Sequence, residues 1–215
     1  MKFDLSKPIL YLITRGASTE KTTPGSSEFE QVLAQIFAAV TAGIELIQIR
    51  EKRLAASVLY QLTEQAVESA RGTSSRLLIN DRADIAAAAG ADGVHLTTQS
   101  IDAHTIRRTF GENFLIAAST HSAAEARTAR DAGADFVVFG PVFATASKEN
   151  YGPPAGVAEL ARVARDLKAF PVLALGGLTT QNAQECLDAG ASGIAGISIF
   201  NQSTRLANVV ATFRR

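Results

Sequence analysis

Two hydroxyl residues and a lysine follow a buried apolar segment, and they form a candidate anion site. The segment Phe136–Phe139 has the composition of a strand, and a Gly-Pro pair ends it. Thr145, Ser147 and Lys148 come next, in a stretch rich in Ala, Gly and Pro. Hydroxyl and ammonium groups donate hydrogen bonds to anions, so this loop suits a phosphate or a diphosphate. A solvated surface loop is the alternative.

A second cationic group belongs to residues 44–50, which read IELIQIR and predict a strand. Successive side chains of a strand point to opposite faces. Gln48 and Arg50 therefore share one face of this strand, and Ile47 and Ile49 share the other. An amide and a guanidinium on an interior face need a ligand or a partner. Lys52 follows just beyond. The alternative is a structural ion pair of Arg50 with Glu51 or another carboxylate.

Asp81 and His121 also follow predicted strands. Asp81 is either the N-cap of the next helix or a ligand of Mg²⁺, which binds one or two carboxylates together with diphosphate oxygens. His121 is either an acid–base group, because imidazole titrates near neutral pH, or only a helix cap. His95 and His104 give no specific signal and are predicted to be structural.

Two loops near the C-terminus resemble a phosphate site. Gly176 and Gly177 follow one apolar segment, and Ser198 follows the next at the start of a predicted helical turn. Glycines allow the backbone to approach a phosphate, and N–H groups at a helix start point at it. A plain tight turn is the alternative for the glycine pair.

The elements that carry these residues alternate strictly between strand and helix, which predicts a parallel sheet. A motif of Ala, Gly, any residue and then Asp, Glu or Ser leads into every even-numbered strand, at residues 42–45, 89–92, 132–135 and 189–192. Four such repeats favour an α/β fold with a single (β/α)8 TIM barrel over residues 1–215. An open doubly wound sheet is the rival. The eight predicted strands are Ile9–Ile13, 44–50, Arg76–Asn80, Gly93–Leu96, 114–118, Phe136–Phe139, 171–175 and 193–197.

The composition excludes several classes of protein. Lys plus Arg and Asp plus Glu are equal at 21 each, so no overall basic field attracts nucleic acid. Cys186 is the single cysteine and cannot form an intramolecular disulfide. No signal peptide or membrane-spanning apolar segment is evident, which predicts a cytoplasmic protein without a membrane partner.

Six motifs, in order along most of the chain, resemble the thiamine phosphate synthase family. They are IQIREK at 47–52, INDRADIA at 79–86, GADGVHL at 90–96, STHS at 119–122, FGPVFATASK at 139–148 and LALGGLTTQNA at 173–183. The resemblance implies a barrel enzyme that joins hydroxymethylpyrimidine diphosphate to hydroxyethylthiazole phosphate and requires Mg²⁺. It implies these two small molecules as partners and leaves a homodimer open.

The resemblance also implies roles for individual residues. The metal ligand is Asp81, and the groups acting on the departing diphosphate are Arg50, Lys52 and Lys148. The residues that surround the pyrimidine diphosphate also include Gln48, Asn80, Ser119, Thr145 and Ser147. The thiazole phosphate is held by Gly177, beside Gly176, and by Ile197 and Ser198.

One position departs from the family pattern. Members usually carry a second metal-binding Asp after the VHL strand, and Ser100 stands there in this chain. Asp102, two residues on, is a candidate replacement. The loss resembles the related thiazole tautomerases, in which a His matching His121 transfers a proton. A synthase is the leading interpretation; a tautomerase and a non-catalytic ligand-binding barrel are the alternatives.

Overall fold

Eight parallel strands close into a barrel in chain order in this computed structural model, which describes residues 3–145, 153–202 and 205–214. The strands are β1 Ile9–Ile13, β2 Leu46–Ile49, β3 Arg76–Asn80, β4 Gly93–Leu96, β5 Leu115–Thr120, β6 Phe136–Phe139, β7 Val172–Leu175 and β8 Gly193–Gly196. The helices are α1 Ser27–Thr41, α2 Ala56–Ala70, α3 Ala83–Ala88, α4 Ala103–Phe110, α5 Ala123–Asp131, α6 Gly156–Leu167, α7 Ala183–Asp188 and α8 Leu206–Thr212. The (β/α)8 prediction is confirmed, and the open sheet is wrong.

Alternation along the strands separates an inner core from an outer one. Leu46 belongs to the cluster that fills the barrel, whereas Ile47 and Ile49 pack outward against the helices. This is the orientation that the sequence of β2 predicts. Phe3 lies against Phe136 at one end of the inner cluster, with ring centroids 5.4 Å apart and nearly perpendicular planes.

The four-fold sequence repeat has a structural purpose at the N-terminal ends of the strands. The carboxylates of Glu45, Asp92 and Asp135 each accept a backbone N–H from the preceding odd-numbered strand, over 2.7 to 3.2 Å. Each carboxylate also pairs with an arginine. The fourth repeat carries Ser192, for which no side-chain hydrogen bond occurs within the described ranges. In three of the four repeats, an acidic side chain therefore joins the start of an even-numbered strand to the strand before it.

Some element bounds differ from those predicted. β2 begins two residues later than residue 44, and β5 extends to Thr120, so Ser119 lies within the strand instead of after it. In the described part of the chain, no helix is long and apolar enough to cross a membrane.

Candidate functional site

A row of hydrogen-bonded side chains runs from the barrel interior to the C-terminal rim. The amide nitrogen of buried Gln48 donates to Asn80 Oδ1 over 3.1 Å. The Asn80 amide nitrogen in turn donates to Asp81 Oδ2 over 2.7 Å. β2 and β3 pair with Gln48 opposite Leu78. Asn80 lies two residues beyond Leu78 on the same face of β3, which brings its side chain within reach of Gln48. The row places an exposed carboxylate at the rim and satisfies the polar groups beneath it.

The Asp81 carboxylate is also held by the residue that departs from the family pattern. The Ser100 hydroxyl donates to Asp81 Oδ1, and the Thr97 hydroxyl lies 3.4 Å from the same oxygen. Asp81 has a φ of 60°, the left-handed region that Asp tolerates better than most residues. Its side chain does not cap α3, for which Arg82 is the N-cap residue. The helix-cap alternative for Asp81 is therefore wrong.

Asp102, the candidate replacement for the missing acid, caps a helix. It is the N-cap of α4, and its two oxygens accept from the Thr105 backbone N–H over 2.9 Å and from the Thr105 hydroxyl over 2.8 Å. These bonds, the backbone one first, lower the pKa of Asp102. Both oxygens thus take part in a local helix cap, and a role of Asp102 at the metal stays a prediction.

Glu51 fastens the loop after β1 and does not pair with Arg50. Its carboxylate is buried and accepts the backbone N–H groups of Gly16 and Ser18 over 3.1 and 3.0 Å. The Arg50 backbone N–H donates to Thr14 Oγ1 over 2.8 Å. Within the described residues Arg50 forms no ion pair with Glu51 or with another carboxylate, so the ion-pair alternative finds no support there.

Lys52 and Asp81 border one cavity of about 290 Å³ at the rim. Its lining also includes apolar side chains from β2 and α2 and the side chain of Arg82. The side chain of Lys52 is exposed, and that of Arg50, two residues earlier, is partly exposed. Lys52 and Arg82, beside the carboxylates of Asp81 and Glu51 in the lining of this cavity, suit an anion that binds together with a cation.

His121 is half-buried and follows β5 directly. Its Nδ1 contacts the Gly140 carbonyl oxygen, which can only accept, so Nδ1 carries a proton. The helix cap is Ser122, whose hydroxyl accepts from the Glu125 backbone N–H over 3.2 Å. The Glu125 carboxylate accepts the His121 backbone N–H over 2.8 Å. His121 therefore does not serve as the cap itself.

The glycine pair after β7 packs against the loop after β6. The Val142 N–H donates to the Leu175 carbonyl over 2.8 Å, and the Phe143 N–H donates to the Gly176 carbonyl over 3.1 Å. A Cβ on Gly177 would lie 2.5 Å from the Ala144 carbonyl oxygen. Close contact between two loops thus accounts for the glycines. The loop after β6 then continues to Thr145. Ser147 and Lys148 lie outside the described residues.

The loop after β8 continues the same edge of the barrel. β7 and β8 pair with Leu175 opposite Ala195, so Gly177 and Ile197 stand equally far beyond the pair. Ile197 packs on the inner core, and Ser198 begins a 3-10 turn, Ser198–Phe200. Within the described ranges, the backbone N–H groups of Gly177 and Ser198 donate no hydrogen bond.

Comparison with known proteins identifies the family. The thiamine monophosphate synthase family matches residues 10–200. The chain belongs to this family. A protein of Geobacter sulfurreducens, provisionally named a thiamine-phosphate synthase, is 42% identical over 189 residues, covering 88% of this chain and 84% of the relative. The thiamine-phosphate synthase of Methanoregula boonei is 38% identical over 189 residues, covering 88% and 83%.

A solved structure agrees. Thiamine phosphate pyrophosphorylase from Pyrococcus furiosus superposes with a TM-score of 0.79 at 27% identity, covering 98% of this chain and 99% of that one. The function that these likenesses support is that of a thiamine phosphate synthase, a transferase of thiamine biosynthesis. They do not favour the tautomerase or the non-catalytic alternative.

The residues fit the Mg²⁺ that the family implies, provided that the ion is bound to diphosphate. No group of three or more His, Cys, Asp or Glu side chains able to hold a metal occurs in the described residues. Mg²⁺ commonly uses one or two carboxylates and takes its other ligands from water and substrate phosphates. Asp81 at the rim, with lone pairs on both oxygens beyond those its donors use, supplies one such carboxylate. The site therefore suits Mg²⁺-diphosphate better than the metal alone.

One hydrogen-bonded group in this synthase barrel has no signal in the sequence. The Tyr11 hydroxyl lies 2.9 Å from His95 Nδ1, and His95 Nε2 lies 2.8 Å from the Ser119 hydroxyl oxygen. His95 is buried at 3% exposure, so the structure brings it into the barrel wall under the mouth. Alternation in β4 already places His95 opposite Val94 and Leu96. Residues that follow a strand end indicate a site in this fold, whereas His95 lies inside β4.

Proposed function

We propose that this chain joins hydroxymethylpyrimidine diphosphate to hydroxyethylthiazole phosphate, giving thiamine phosphate and diphosphate. The observation that carries the proposal is the row from Gln48 through Asn80 to Asp81, beside the cavity that Lys52 borders. It offers amide groups to a heterocycle inside the mouth and a carboxylate with cationic neighbours to a diphosphate at the rim.

Each substrate has its own part of the rim in this proposal. The pyrimidine diphosphate lies over β2, β3 and β5 and extends to the loop after β6. Its residues are Gln48, Arg50, Lys52, Asn80, Asp81, Ser119, Thr145, Ser147 and Lys148. The thiazole phosphate lies at the loops after β7 and β8, near Gly176, Gly177, Ile197 and Ser198. The N–H groups of Gly177 and Ser198, which donate no bond within the described residues, support that second site.

The protein has little acid–base chemistry to perform. The C–O bond to the diphosphate breaks, a pyrimidine-methyl cation forms, and the thiazole nitrogen attacks it. The chain holds the two heterocycles in line, and Arg50, Lys52 and Lys148 stabilise the negative charge that grows on the departing diphosphate. Mg²⁺, held by Asp81, would neutralise part of that charge. His121 is a neighbour of the site without an essential proton to move.

An assay with both substrates and Mg²⁺ tests the proposal. Wild type should release diphosphate and thiamine phosphate. Lys148→Ala should lower turnover ~10²-fold or more, the scale of losing one transition-state donor. Lys7→Ala is the matched control, because Lys7 belongs to the opposite end of the barrel, where it lies 3.4 Å from Glu45.

His121→Ala separates the synthase from the tautomerase. In the synthase it should cost far less than Lys148→Ala. A proton-transfer role is typically worth ~10²–10⁴-fold. Loss of carboxythiazole phosphate isomerisation in His121→Ala, from a wild type that never couples the two heterocycles, would establish the tautomerase instead.

Three further expectations accompany the proposal. The whole of residues 1–215 forms one barrel domain, the enzyme acts in the cytoplasm, and a homodimer is its candidate assembly. Domain limits can be tested by limited proteolysis, and the assembly by light scattering.

A further inference from the structure

Tyr11, His95 and Ser119 cross the barrel interior from β1 to β5. The three side chains come from strands that are not all neighbours: Tyr11 on β1, His95 on β4 and Ser119 on β5. Tyr11 is fully buried, with its ring against Phe136 at a centroid distance of 5.6 Å, and Ser119 is half-buried. The row therefore begins in the apolar core and ends where the mouth opens.

The direction of the hydrogen bonds follows from the buried end. Burial raises the pKa of Tyr11 well above its usual value, so the phenol keeps its proton. Within the described residues, His95 Nδ1 is the one polar atom in hydrogen-bond contact with the phenol. If Nδ1–H donated to Tyr11, the phenol O–H would remain buried without an acceptor, which is the costlier arrangement. Tyr11 therefore donates and Nδ1 accepts.

The rest of the row is then determined. A neutral imidazole with a lone pair on Nδ1 carries its proton on Nε2. Nε2–H donates to the Ser119 oxygen over 2.8 Å. The Ser119 hydroxyl accepts this bond, so its own proton is turned away from His95 and is available to the mouth.

We propose that Tyr11 and His95 are positioning residues that hold Ser119 as a hydrogen-bond donor to an acceptor atom of the substrate in the barrel mouth. This inference rests on the proposed function for the identity of that substrate. Ser119 then touches the substrate, and the two residues behind it act through Ser119. The fixed donor lowers the reorganisation needed when negative charge develops on the acceptor.

Ring-nitrogen NMR tests the tautomer without any reaction. The chain has three histidines, and a His104→Gln variant assigns the exposed one and serves as the control for substitution elsewhere. In the wild type, His95 should show a protonated Nε2 and an unprotonated Nδ1. Tyr11→Phe should shift the His95 Nδ1 signal, whereas Tyr60→Phe should not, because the Tyr60 hydroxyl bonds Glu64 on the outer surface. A protonated Nδ1 on wild-type His95 would overturn the proposal.

A double-mutant cycle tests the action through Ser119. Ser119→Ala should lower kcat ~10²-fold with little change in KM. Tyr11→Phe should lower kcat about 5-fold, the scale of one hydrogen bond, and should have no further effect in the Ser119→Ala background. His95→Gln, which keeps an N–H near the Nε2 position, should retain more activity than His95→Leu. An undiminished effect of Tyr11→Phe without Ser119 would contradict the relay.

The two proposals fail differently. If wild type does not couple the heterocycles, the proposed function is wrong, and the tautomer experiment alone still decides whether the row is ordered as described. If wild type couples them but the cycle is additive, only the relay is wrong.

Discussion

The two ends of the barrel use acidic residues in opposite ways. At the N-terminal ends of the strands, Asp135 accepts a strand N–H over 2.7 Å and pairs with Arg107 over 2.8 Å, with both side chains less than one fifth exposed. At the C-terminal ends, Asp81 is exposed and held by the side chains of Asn80 and Ser100. Asp135 is bound to the backbone and to a cation, whereas the hydrogen bonds of Asp81 within the described residues come from neutral side chains.

The difference separates stability from function. Removing the Asp135 carboxylate leaves a strand N–H without its acceptor and takes the charged partner from Arg107, which keeps its bonds to backbone carbonyls. Within the described residues the Asp81 carboxylate forms no ion pair, so a cation or a cation-bound diphosphate can bind to it. Substitutions at the first end should change stability, and those at the second should change activity.

The largest expected effects come from replacing one carboxylate by an amide at each end of the barrel, in Asp81→Asn and in Asp135→Asn. Asp81→Asn should lower coupling activity by at least ~10²-fold, because the charge at the rim is lost, with almost no change in Tm. Asn also tolerates the positive φ at this position. Asp135→Asn should leave kcat and KM unchanged but cost about 2–3 kcal/mol, somewhat less than breaking a fully buried pair, or about 4–12 °C in Tm.

Steady-state kinetics and thermal unfolding of both variants make the check. Loss of activity in Asp135→Asn at a temperature where it remains folded would break the division between the ends.

The same comparison explains what the sequence could predict. The Ala-Gly motif, repeated four times, predicts the barrel and shows the acids that precede the even-numbered strands, because each βαβα unit packs in the same way. Alternation in β2 predicts Gln48 inside. These inferences need only local periodicity.

The site depended on contacts that local patterns do not contain. Asp102 caps α4, a contact with Thr105 that the spacing of acids along the sequence does not reveal. His95 gave no signal because its partners are on β1 and β5, far away in sequence. The reason for Gly177 became visible only once the loop after β6 was seen to pass 2.5 Å from where its Cβ would stand.

Glycines at the two ends sharpen the comparison next. Gly177 and Gly43 have similar positive φ values of 65° and 75°, but a Cβ on Gly43 would meet nothing within 4 Å. Both alanine variants bear the strain of a left-handed residue, about 1 kcal/mol or somewhat more. Gly177→Ala must in addition displace the loop after β6. A displacement of about 1 Å can cost up to ~10²-fold, so the apparent affinity for thiazole phosphate and the turnover should both fall.

Gly43→Ala is the matched control and should retain full activity with a modestly lower Tm. Equal loss of activity in both variants would show that backbone strain, and not the contact between loops, controls the site.

A charge added at the rim should have a smaller and opposite effect. Ser100→Asp places a second carboxylate beside Asp81, because the Ser100 hydroxyl already contacts that side chain. Two adjacent carboxylates repel each other until a cation binds. Mg²⁺ with diphosphate should therefore bind on the order of 10-fold more tightly, about 1.4 kcal/mol.

Calorimetric titration of Mg²⁺ in the presence of inorganic diphosphate measures this directly, with Ser100→Asn as the uncharged control. An unchanged affinity in Ser100→Asp would indicate that water or a substrate oxygen already completes the coordination.

The smallest expected effect lies at the base, where the fourth repeat lacks its acid. β7 and β8 pair with Leu173 opposite Gly193, so Val172 stands opposite Ser192, as Ile116 stands opposite Asp135 in the third repeat. Ser192→Asp should therefore accept the Val172 N–H and add about 0.5–1 kcal/mol, the net value of one hydrogen bond. No arginine accompanies this position in the described ion pairs, so the gain should stay below that of the other three acids. Thermal unfolding should show a Tm higher by about 1–4 °C with unchanged kinetics, and Ser192→Ala should show no gain. A lower Tm in Ser192→Asp would mean that the desolvation of an acid without an arginine outweighs the bond to the strand.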